Sequence, residues 1–537
     1  MPQAEPSDGI PAISSARSVD ETVRLEELRH LKSITLFAIT HPIVSLAPWL
    51  LLFAAVAAPS NEPFRPQYHF SPASNWTNDP NGLVYFEGEY HLFFQYNPLG
   101  DQWGHMSWGH AVSRDLVHWQ ELPVALREEN GVMIFTGSVV IDERNTSGFC
   151  TNHKPCMVAI YTGHTPRQSG KPALETQNIA FSNDRGRTWT KYASNPVLNL
   201  NLANFRDPDV FWSSQSKRWI MVVALPNDHR VRFYGSPDLK HWTNLGDFGP
   251  AGATGGQWEC PSIFELPVDT NRRNTRWVLK IGLNPGALQG GSGEQYFVGR
   301  FDGAKFINDN PPSTTLWTDY GKDCYCALVF NHIPESRPQL MLGWMDNWQY
   351  ASKIPTTTWR GQMTVPREIA LKTFPDGVRL VQKPADIFDK PGKPASPPPN
   401  SRSFEMSAVL EIGSAREAGW KLTFGDSAFV LIGYNTARRE VFVDRTHSGI
   451  VAFSRDFPVR VSAPLPQIGS ALDFRLLIDR NSVEVFAAGG RVTLTNLIFP
   501  PGTAAPRIEF FSDGPARQSA LTIRSLNNIG TSTLKDK

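Results

Sequence analysis

The sequence predicts an all-β protein in which a β-propeller is followed by a β-sandwich. Three observations predict this class: short apolar runs paired around turns, a turn motif that recurs in the first part of the chain, and a Pro-dense break before a second strand-rich region. Glycine and proline are frequent, at 41 and 43 residues, as expected for many short strands joined by turns. The length of 537 residues favours at least two domains.

The first 60 residues predict a leader that is separate from the folded domains. No Asp, Glu, Lys or Arg occurs between Ser33 and Asn61, and the apolar stretch 43–58 ends in Ala55-Val-Ala-Ala58. This pattern is typical of a secretory signal peptide cleaved near Ala57, although the polar segment before it is long for such a signal. We therefore expect a secreted or periplasmic protein. An uncleaved membrane anchor is the alternative, because the stretch is long enough to span a bilayer.

Paired apolar runs predict β-hairpins throughout residues 61–385. Runs 84–86 and 90–96 flank Glu87-Gly-Glu89, a turn signal between two β-forming segments. Similar pairs are 219–224 with 231–234, and 277–281 with 295–298. No amphipathic helical pattern of comparable length interrupts them.

A turn motif that recurs three times indicates propeller blades in the same region. Ser-x-Asp followed by Trp occurs at 113–119, 182–189 and 236–242, each time between an apolar run and an extended one. Repeats of this length in an all-β chain are typical of blades that end in the same turn. The alternative is a coincidence of common turn residues.

Residues 386–402 are predicted to be a linker, because the stretch from Lys390 to Asn400 contains five prolines in eleven residues. Beyond it, apolar runs again predict short strands, at 428–432, 440–443, 474–478 and 482–486. Short strands over a region of this size are typical of a β-sandwich, which we place at 403–537.

Composition excludes several kinds of partner. A formal net charge of +1 provides no overall attraction for nucleic acid or for an acidic membrane surface. The cysteines lack the paired spacing of a zinc site, and the sequence indicates no metal, cofactor or protein partner. In an exported protein Cys150 and Cys156 would be able to form a disulfide, and free buried thiols are the alternative.

Three of the 51 acidic residues lie in turn-rich motifs that contain aromatic residues or proline. Asp79 lies in Trp-Thr-Asn-Asp-Pro-Asn-Gly, Asp207 in Phe-Arg-Asp-Pro, and Glu259 in Trp-Glu-Cys-Pro. Glycoside hydrolysis needs two carboxyl groups on one sugar, one to attack or activate a nucleophile and one to donate a proton. We expect Arg206 to lower the pKa of its neighbour Asp207, and the apolar neighbours of Glu259 to keep that carboxyl protonated. An ordinary turn, an ion pair and a capped strand end are the respective structural alternatives.

Taken together, these motifs resemble glycoside hydrolase family 32, which contains invertases, inulinases and levanases. The resemblance covers about residues 67–384, and more loosely the C-terminal part. Further matching stretches are 68–72, 91–97, 108–113, 145–149, 342–350 and 444–448, and the stretch 316–323 is most similar to bacterial levanases.

The resemblance implies a five-bladed propeller that carries the active site, followed by the sandwich. It implies a retaining glycoside hydrolase that releases terminal β-D-fructosyl units from levan, inulin or sucrose. Asp79 would be the nucleophile, Glu259 the general acid/base and Asp207 the transition-state stabiliser. The family pattern also implies a set of pocket-lining residues: Asn78, Gln95, Trp103, Phe135, Thr136, Arg206 and Trp344.

The chain departs from the family pattern at a few positions. Thr136 replaces a usual Ser and keeps the hydroxyl, Asp209 replaces a common Phe or Lys, and Cys324 and Cys326 stand where Phe and Ala are common. Two other functions remain open. A fructosyltransferase would use the same acids, whereas a catalytically silent sugar-binding propeller would not need a nucleophile and an acid.

Overall fold

The structure of the protein is a computed structural model that describes residues 62–389, 401–466, 469 and 471–526. The predicted leader and most of the predicted linker lie outside these residues. Within them the chain is almost entirely β, and its only helical segments are the 3-10 turns Pro226–Asp228, Ala351–Lys353 and Asp386–Asp389. No helix in the described part is long and apolar enough to span a bilayer. The all-β prediction is confirmed.

The first part of the chain forms five antiparallel blades, and in each blade the chain runs from the innermost strand outward. Blade 1 contains β1 (Asn75–Phe86), β2 (Glu89–Asn97), β3 (Ser107–Ser113) and β4 (Gln120–Leu126). Blade 2 contains β5 (Met133–Asp142), β6 (Cys156–Thr165) and β7 (Leu174–Ser182), with β8 (Thr190–Lys191) and β9 (Leu198–Leu202) both paired to β7. Blade 3 contains β10 (Arg206–Ser213), β11 (Arg218–Leu225), β12 (Arg230–Ser236) and β13 (Thr243–Phe248).

Blade 4 contains β14 (Gln257–Val268), β15 (Asn271–Asn284) and β16 (Gly293–Phe301), with β17 (Phe306–Asn308) and β18 (Leu316–Trp317) both paired to β16. Blade 5 contains β19 (Tyr325–Val329), β20 (Gln339–Trp344), β22 (Arg367–Phe374) and β23 (Gly377–Pro384). The short strand β21 (Trp359–Arg360) leaves blade 5 and pairs in parallel with the start of β1.

The innermost strands of the five blades form a closed ring. β1 contacts β5, β5 contacts β10, β10 contacts β14, β14 contacts β19, and β19 contacts β1. Blades arranged around a common axis in this way make a β-propeller. The predicted five-bladed propeller is therefore confirmed.

Continuous apolar runs form the inner blade strands because a neighbouring blade covers each of their faces. In β11, Trp219, Met221 and Val223 pack into the core between blades 2 and 3. The alternate residues Ile220 and Val222 pack into the core between blades 3 and 4. A strand buried on both faces gains nothing from alternating polar residues, which explains why the sequence shows an unbroken run.

The recurring Ser-x-Asp motif forms the turn after the third strand of blades 1, 2 and 3. In blade 1, the Asp115 carboxylate accepts hydrogen bonds from the backbone N–H groups of Val117 and His118, at 3.1 and 2.8 Å. The Trp119 indole then donates to the Leu116 carbonyl at 3.1 Å. Equivalent bonds form around Asp184 and Asp238. The repeat therefore marks blades, as predicted.

The last part of the chain forms two five-stranded sheets that face each other across one core. One sheet contains β24 (Phe404–Glu411), β29 (Ala471–Asp479), β30 (Ser482–Ala487), β31 (Val492–Leu497) and β33 (Arg517–Ser525). The other contains β25 (Glu417–Phe424), β26 (Ala428–Asn435), β27 (Glu440–His447), β28 (Arg460–Pro464) and β32 (Arg507–Ser512). This is the predicted β-sandwich.

A buried cluster of charges joins the propeller to the sandwich; we call it the junction cluster (His69, Asp319, Arg367, Asp479 and Glu484). The His69 ring bonds Asp479 through Nδ1 and Glu484 through Nε2, both at 2.8 Å. Arg367 donates to Asp319 at 2.9 Å and to Glu484 at 2.5 Å. These side chains are at most 1% exposed, so the pairs form without competing water.

Candidate active site

Each innermost strand of the propeller has a β-bulge in its first half. The strand register is interrupted at Asn78-Asp79 in β1, Phe135-Thr136 in β5, Asp207-Pro208 in β10, Cys260-Pro261 in β14 and Cys326-Ala327 in β19. The backbone φ is positive at Asp207, Cys260 and Cys326, at 67°, 47° and 45°. A bulge re-aims side chains and releases them from the ladder. The ring of bulges therefore turns polar side chains toward a shared space.

That space is a cavity of about 390 Å³ that contains all three predicted acids. Nine of the ten predicted site residues line it: Asn78, Asp79, Gln95, Trp103, Phe135, Thr136, Arg206, Asp207 and Glu259. They come from blades 1 to 4 and are far apart in the sequence. The propeller thus brings together what the separate motifs suggested.

Trp344 is the exception, and its predicted place in the cavity wall is wrong. It ends β20, is fully buried, and packs against Trp76 and Trp348, with ring centroids 6.3 and 4.9 Å away. Trp348, four residues later, lines the cavity instead. The strand holds Trp344 in the core, whereas the following loop carries Trp348 to the surface of the pocket.

Asp79 is buried at the cavity and is held through one of its two oxygens. The Thr136 hydroxyl donates to Oδ2 at 2.7 Å, while Oδ1 has no hydrogen-bond partner among the described residues. Burial, only partly offset by the Thr136 bond, and the negative charge of Glu259 raise the pKa of Asp79 to about 6. The group is therefore ionised at neutral pH and becomes protonated in mild acid.

Asp207 is buried close to Asp79 and Glu259. Its Oδ2 accepts a hydrogen bond from the backbone N–H of Cys260 at 2.9 Å. Burial raises the pKa of Asp207 well above its ordinary value, and the charges of Glu259 and Asp79 raise it further. The expectation that Arg206 lowers this pKa overall is wrong, because the opposing effect of the guanidinium is smaller than the effect of burial.

Glu259 is held from two sides by polar groups. Arg206 donates to Oε1 through Nη2 at 2.8 Å and through Nε at 3.2 Å, and the Tyr325 hydroxyl donates to Oε2. The side chain is 17% exposed, so it reaches the cavity. The expectation that apolar neighbours surround the Glu259 carboxyl is therefore wrong. The adjacent Trp258 is fully buried in the core between blades 3 and 4.

Arg206 links Glu259 to a fourth acid that the motifs did not indicate. Its Nη1 donates to Glu175 at 3.3 Å, and Glu175 also bonds the His164 ring at 3.1 Å. Glu175 and His164 both line the cavity. Glu175 lies in an ordinary strand, and only its contact with Arg206, about thirty residues later in the sequence, identifies it.

The structure shows which cysteines form disulfides, which the sequence had left open. Cys150 bonds to Cys156 and Cys260 bonds to Cys326, whereas Cys324 is a buried free thiol. Two groups of potential metal ligands occur among the described residues, Asp79 with Cys260 and Cys326, and Asp142 with Cys150 and Cys156. In both, the cysteines are disulfide-bonded and offer no thiolate to a metal.

Comparison with known proteins identifies the family. The model of the glycosyl hydrolases family 32 N-terminal domain matches residues 69–384, and the model of the family 32 C-terminal domain matches residues 379–527. The chain belongs to glycosyl hydrolase family 32. Both family 32 models together span the propeller and the sandwich.

Named relatives and solved structures of family 32 resemble the whole folded part of the chain. A levanase of Bacillus subtilis is 44% identical over 90% of this chain and 74% of its own length. An extracellular exo-inulinase of Aspergillus awamori is 41% identical over 86% of this chain and 94% of its own length. The crystal structure of exo-inulinase from Aspergillus awamori has a TM-score of 0.80 at 39% identity, covering 86% of this chain and 98% of that one.

A further similar structure holds a ligand. The fructofuranosidase of Schwanniomyces occidentalis, complexed with fructose, has a TM-score of 0.80 at 32% identity. It covers 88% of this chain and 100% of that chain. The similarity to this structure therefore includes the propeller as well as the sandwich.

Proposed function

We propose that the protein is a retaining β-fructosidase that releases terminal fructosyl units from fructans and sucrose. The observation that carries this proposal is the convergence of Asp79, Asp207 and Glu259 on one cavity. The names of the similar proteins, levanase, exo-inulinase and fructofuranosidase, support fructosyl chemistry over other glycosidase chemistry.

In the first step, Asp79 attacks the anomeric carbon of the fructosyl unit. Asp79 lines the cavity, and the Thr136 hydroxyl holds its carboxylate through Oδ2. Glu259 gives its proton to the departing oxygen, and a covalent fructosyl–enzyme ester forms at Asp79. This is the two-carboxyl reaction of a retaining glycosidase.

In the second step, water replaces the leaving group and Glu259 accepts its proton. The resulting nucleophile attacks the same carbon, fructose leaves, and Asp79 becomes a free carboxylate again. Asp207 supports both steps by placing negative charge near the oxocarbenium-like transition state. Arg206 and Tyr325 position the Glu259 carboxyl, since each donates to a different oxygen.

The remaining predicted residues are proposed to shape the pocket around the fructosyl unit. Trp103 and Phe135 pack edge to face at 6.1 Å, and Trp103 is 46% exposed, so they present an aromatic wall to the sugar. Asn78 and Gln95 add amide groups to the polar side of the cavity. The reacting groups lie inside a cavity, which favours removal of single units from chain ends.

Export to the cell exterior is part of the proposal. The sequence of the leader supports it, and so does the extracellular designation of the similar exo-inulinase. Export also suits a polymeric substrate that does not cross a membrane, and a chain with two disulfides.

The test is product analysis on levan, inulin and sucrose. We expect free fructose to accumulate as the main product from the earliest time points, with no ladder of internal fragments. Proton NMR of the first turnovers is expected to show fructose released with retained β configuration at the anomeric carbon. Inverted product would contradict the role of Asp79, and fructosyl oligomers that dominate over free fructose would identify a transferase.

A further inference from the structure

The Cys260–Cys326 disulfide lies beside the reacting groups and has no role in the reaction as proposed above. Cys260 directly follows Glu259 on β14, and Cys326 directly follows Tyr325 on β19. Tyr325 is the residue that donates its hydroxyl to Glu259. The disulfide therefore connects the strand of the acid/base to the strand of its hydrogen-bond donor.

In the described structure, no β-ladder joins β14 directly to β19. β14 pairs with β15 and, at one residue, with β22, while β19 pairs with β20. Both cysteines sit in bulges, where the regular strand register is interrupted. Their Cα atoms are 5.4 Å apart. The covalent bond thus ties blade 4 to blade 5 at a level where sheet hydrogen bonds do not.

The same disulfide borders the nucleophile. The Sγ atom of Cys260 is 3.7 Å from Oδ2 of Asp79. In a disulfide this sulfur carries no hydrogen, so Thr136 is the hydroxyl donor to that oxygen. A free thiol at Cys260 would place an S–H donor within reach of Asp79 and would stabilise its carboxylate form.

We propose that the Cys260–Cys326 disulfide is a positioning element for the active site, which fixes Glu259 against Tyr325 and keeps a thiol hydrogen away from Asp79. The proposal rests on the function proposed above. Loss of the bond is expected to loosen the proton donor and to change the hydrogen bonding of the nucleophile. These two effects are separable, because the first lowers kcat and the second moves the acidic limb of the pH profile.

The main test is Cys326→Ala, which removes the bond and leaves Cys260 as a thiol. We expect kcat to fall by about tenfold with little change in KM, since misplacement of a catalytic group acts on the chemical step. We also expect the acidic limb of kcat/KM to move to lower pH. Cys324→Ala is the matched control, because it removes a buried sulfur nearby without breaking a disulfide.

A second control separates position from general stability. Cys150→Ala with Cys156→Ala removes the other disulfide and is expected to leave kcat and the acidic limb unchanged at a temperature where the variant is folded. If Cys326→Ala does not fold, the wild-type enzyme is reduced instead with a dithiol. The dithiol supplies two electrons and two protons, becomes a disulfide itself, and leaves thiols on Cys260 and Cys326.

Thiol counting decides whether the bond exists. Alkylation of the unfolded wild-type chain, followed by mass spectrometry, is expected to modify Cys324 alone among five cysteines. Modification of Cys260 and Cys326 would overturn the inference. So would a Cys326→Ala enzyme, or a verified reduced enzyme, with wild-type kcat and pH profile. Absence of fructose release by the wild-type enzyme would instead refute the proposed function.

Discussion

The active site and the junction cluster are both buried groups of charged side chains, but the pKa values of their acids are shifted in opposite directions. In the junction cluster each acid has a cation beside it: Asp479 and Glu484 share His69, and Glu484 also binds Arg367. Burial alone would raise the pKa values of both acids, but these partners hold them below their ordinary values. In the active site, burial and neighbouring acids raise the pKa values of Asp79 and Asp207.

This difference in pairing distinguishes acids that stabilise the fold from acids that are able to react with a substrate. A buried acid that is fully paired stays ionised and fixes two domains together, but it has no lone pair left for a substrate. Asp79 keeps an unpartnered oxygen at the cost of folding stability. We therefore expect changes in the active site to affect turnover and changes in the junction cluster to affect unfolding.

The largest effect is expected for Asp79→Asn, which removes the nucleophile while preserving the shape of the side chain. Turnover should fall on the order of 10⁴-fold, as for other essential groups of covalent catalysis. The melting temperature should stay the same or rise, because a buried acid with an unpartnered oxygen is removed. Steady-state kinetics and thermal unfolding measure the two quantities. Near wild-type turnover would remove Asp79 from the mechanism.

Arg367→Ala tests the opposite region. It leaves Asp319 and Glu484 without this cation in a site that excludes water, and breaking such a buried pair costs about 3–5 kcal/mol of unfolding free energy. Denaturant unfolding measures the loss, and kcat should change little below the transition. Arg517→Ala is the matched control, because Arg517 is 76% exposed in its pair with Glu411 and its loss should lower stability far less. Equal losses would contradict the comparison.

His69 makes stability depend on alkaline pH. Burial alone would lower its pKa, but Asp479 and Glu484 raise it to about 9, from 6.5 in the unfolded chain. The stabilisation is therefore complete below pH 6.5 and is lost as the pH rises through 9, by about 3 kcal/mol. Denaturant unfolding from pH 6 to 10 should show this decline. His69→Gln should be less stable throughout and should lack it, and an identical slope in both proteins would refute the assignment.

The smallest effect is expected for the pH dependence of activity. The nucleophile must be ionised, so kcat/KM should fall as the pH drops below about 6, the pKa of Asp79. Thr136→Val removes the hydrogen bond that stabilises the carboxylate, so the limb should move to higher pH, with activity near neutrality reduced by about tenfold. Thr136→Ser keeps a hydroxyl and should resemble the wild type. A limb that stays in place in Thr136→Val would exclude Asp79 as the titrating group.

Sequence patterns predicted what local chemistry encodes. Hairpins, the Ser-x-Asp turns and the three acidic motifs depend on neighbouring residues, so the sequence displays them directly. The partners of those acids do not follow from local patterns. Arg206 is adjacent to Asp207 in the chain, yet it donates its hydrogen bonds to Glu259 on the neighbouring blade.

The positions of the remaining site residues depend on tertiary packing, which local sequence patterns do not show. Trp344 and Trp348 occur in the same stretch, and only the end of β20 determines which of them faces the core. The pairing of Cys260 with Cys326 depends on the contact between the neighbouring blades 4 and 5. The spacing of the cysteines in the sequence does not predict that contact. Glu175 shows no motif at all, and its role follows from its bond to Arg206.

The ring of bulges has a consequence for how this enzyme can be altered. Three of the five bulges, those in β1, β5 and β10, carry side chains that line the cavity. All five belong to the innermost strands, which neighbouring blades constrain most. The loop that follows β2 lies outside these strands and carries the exposed Leu99 and Trp103 at the rim. We therefore expect that new rim loops will change the preference between fructan linkages and leave the positions of Asp79, Asp207 and Glu259 unchanged.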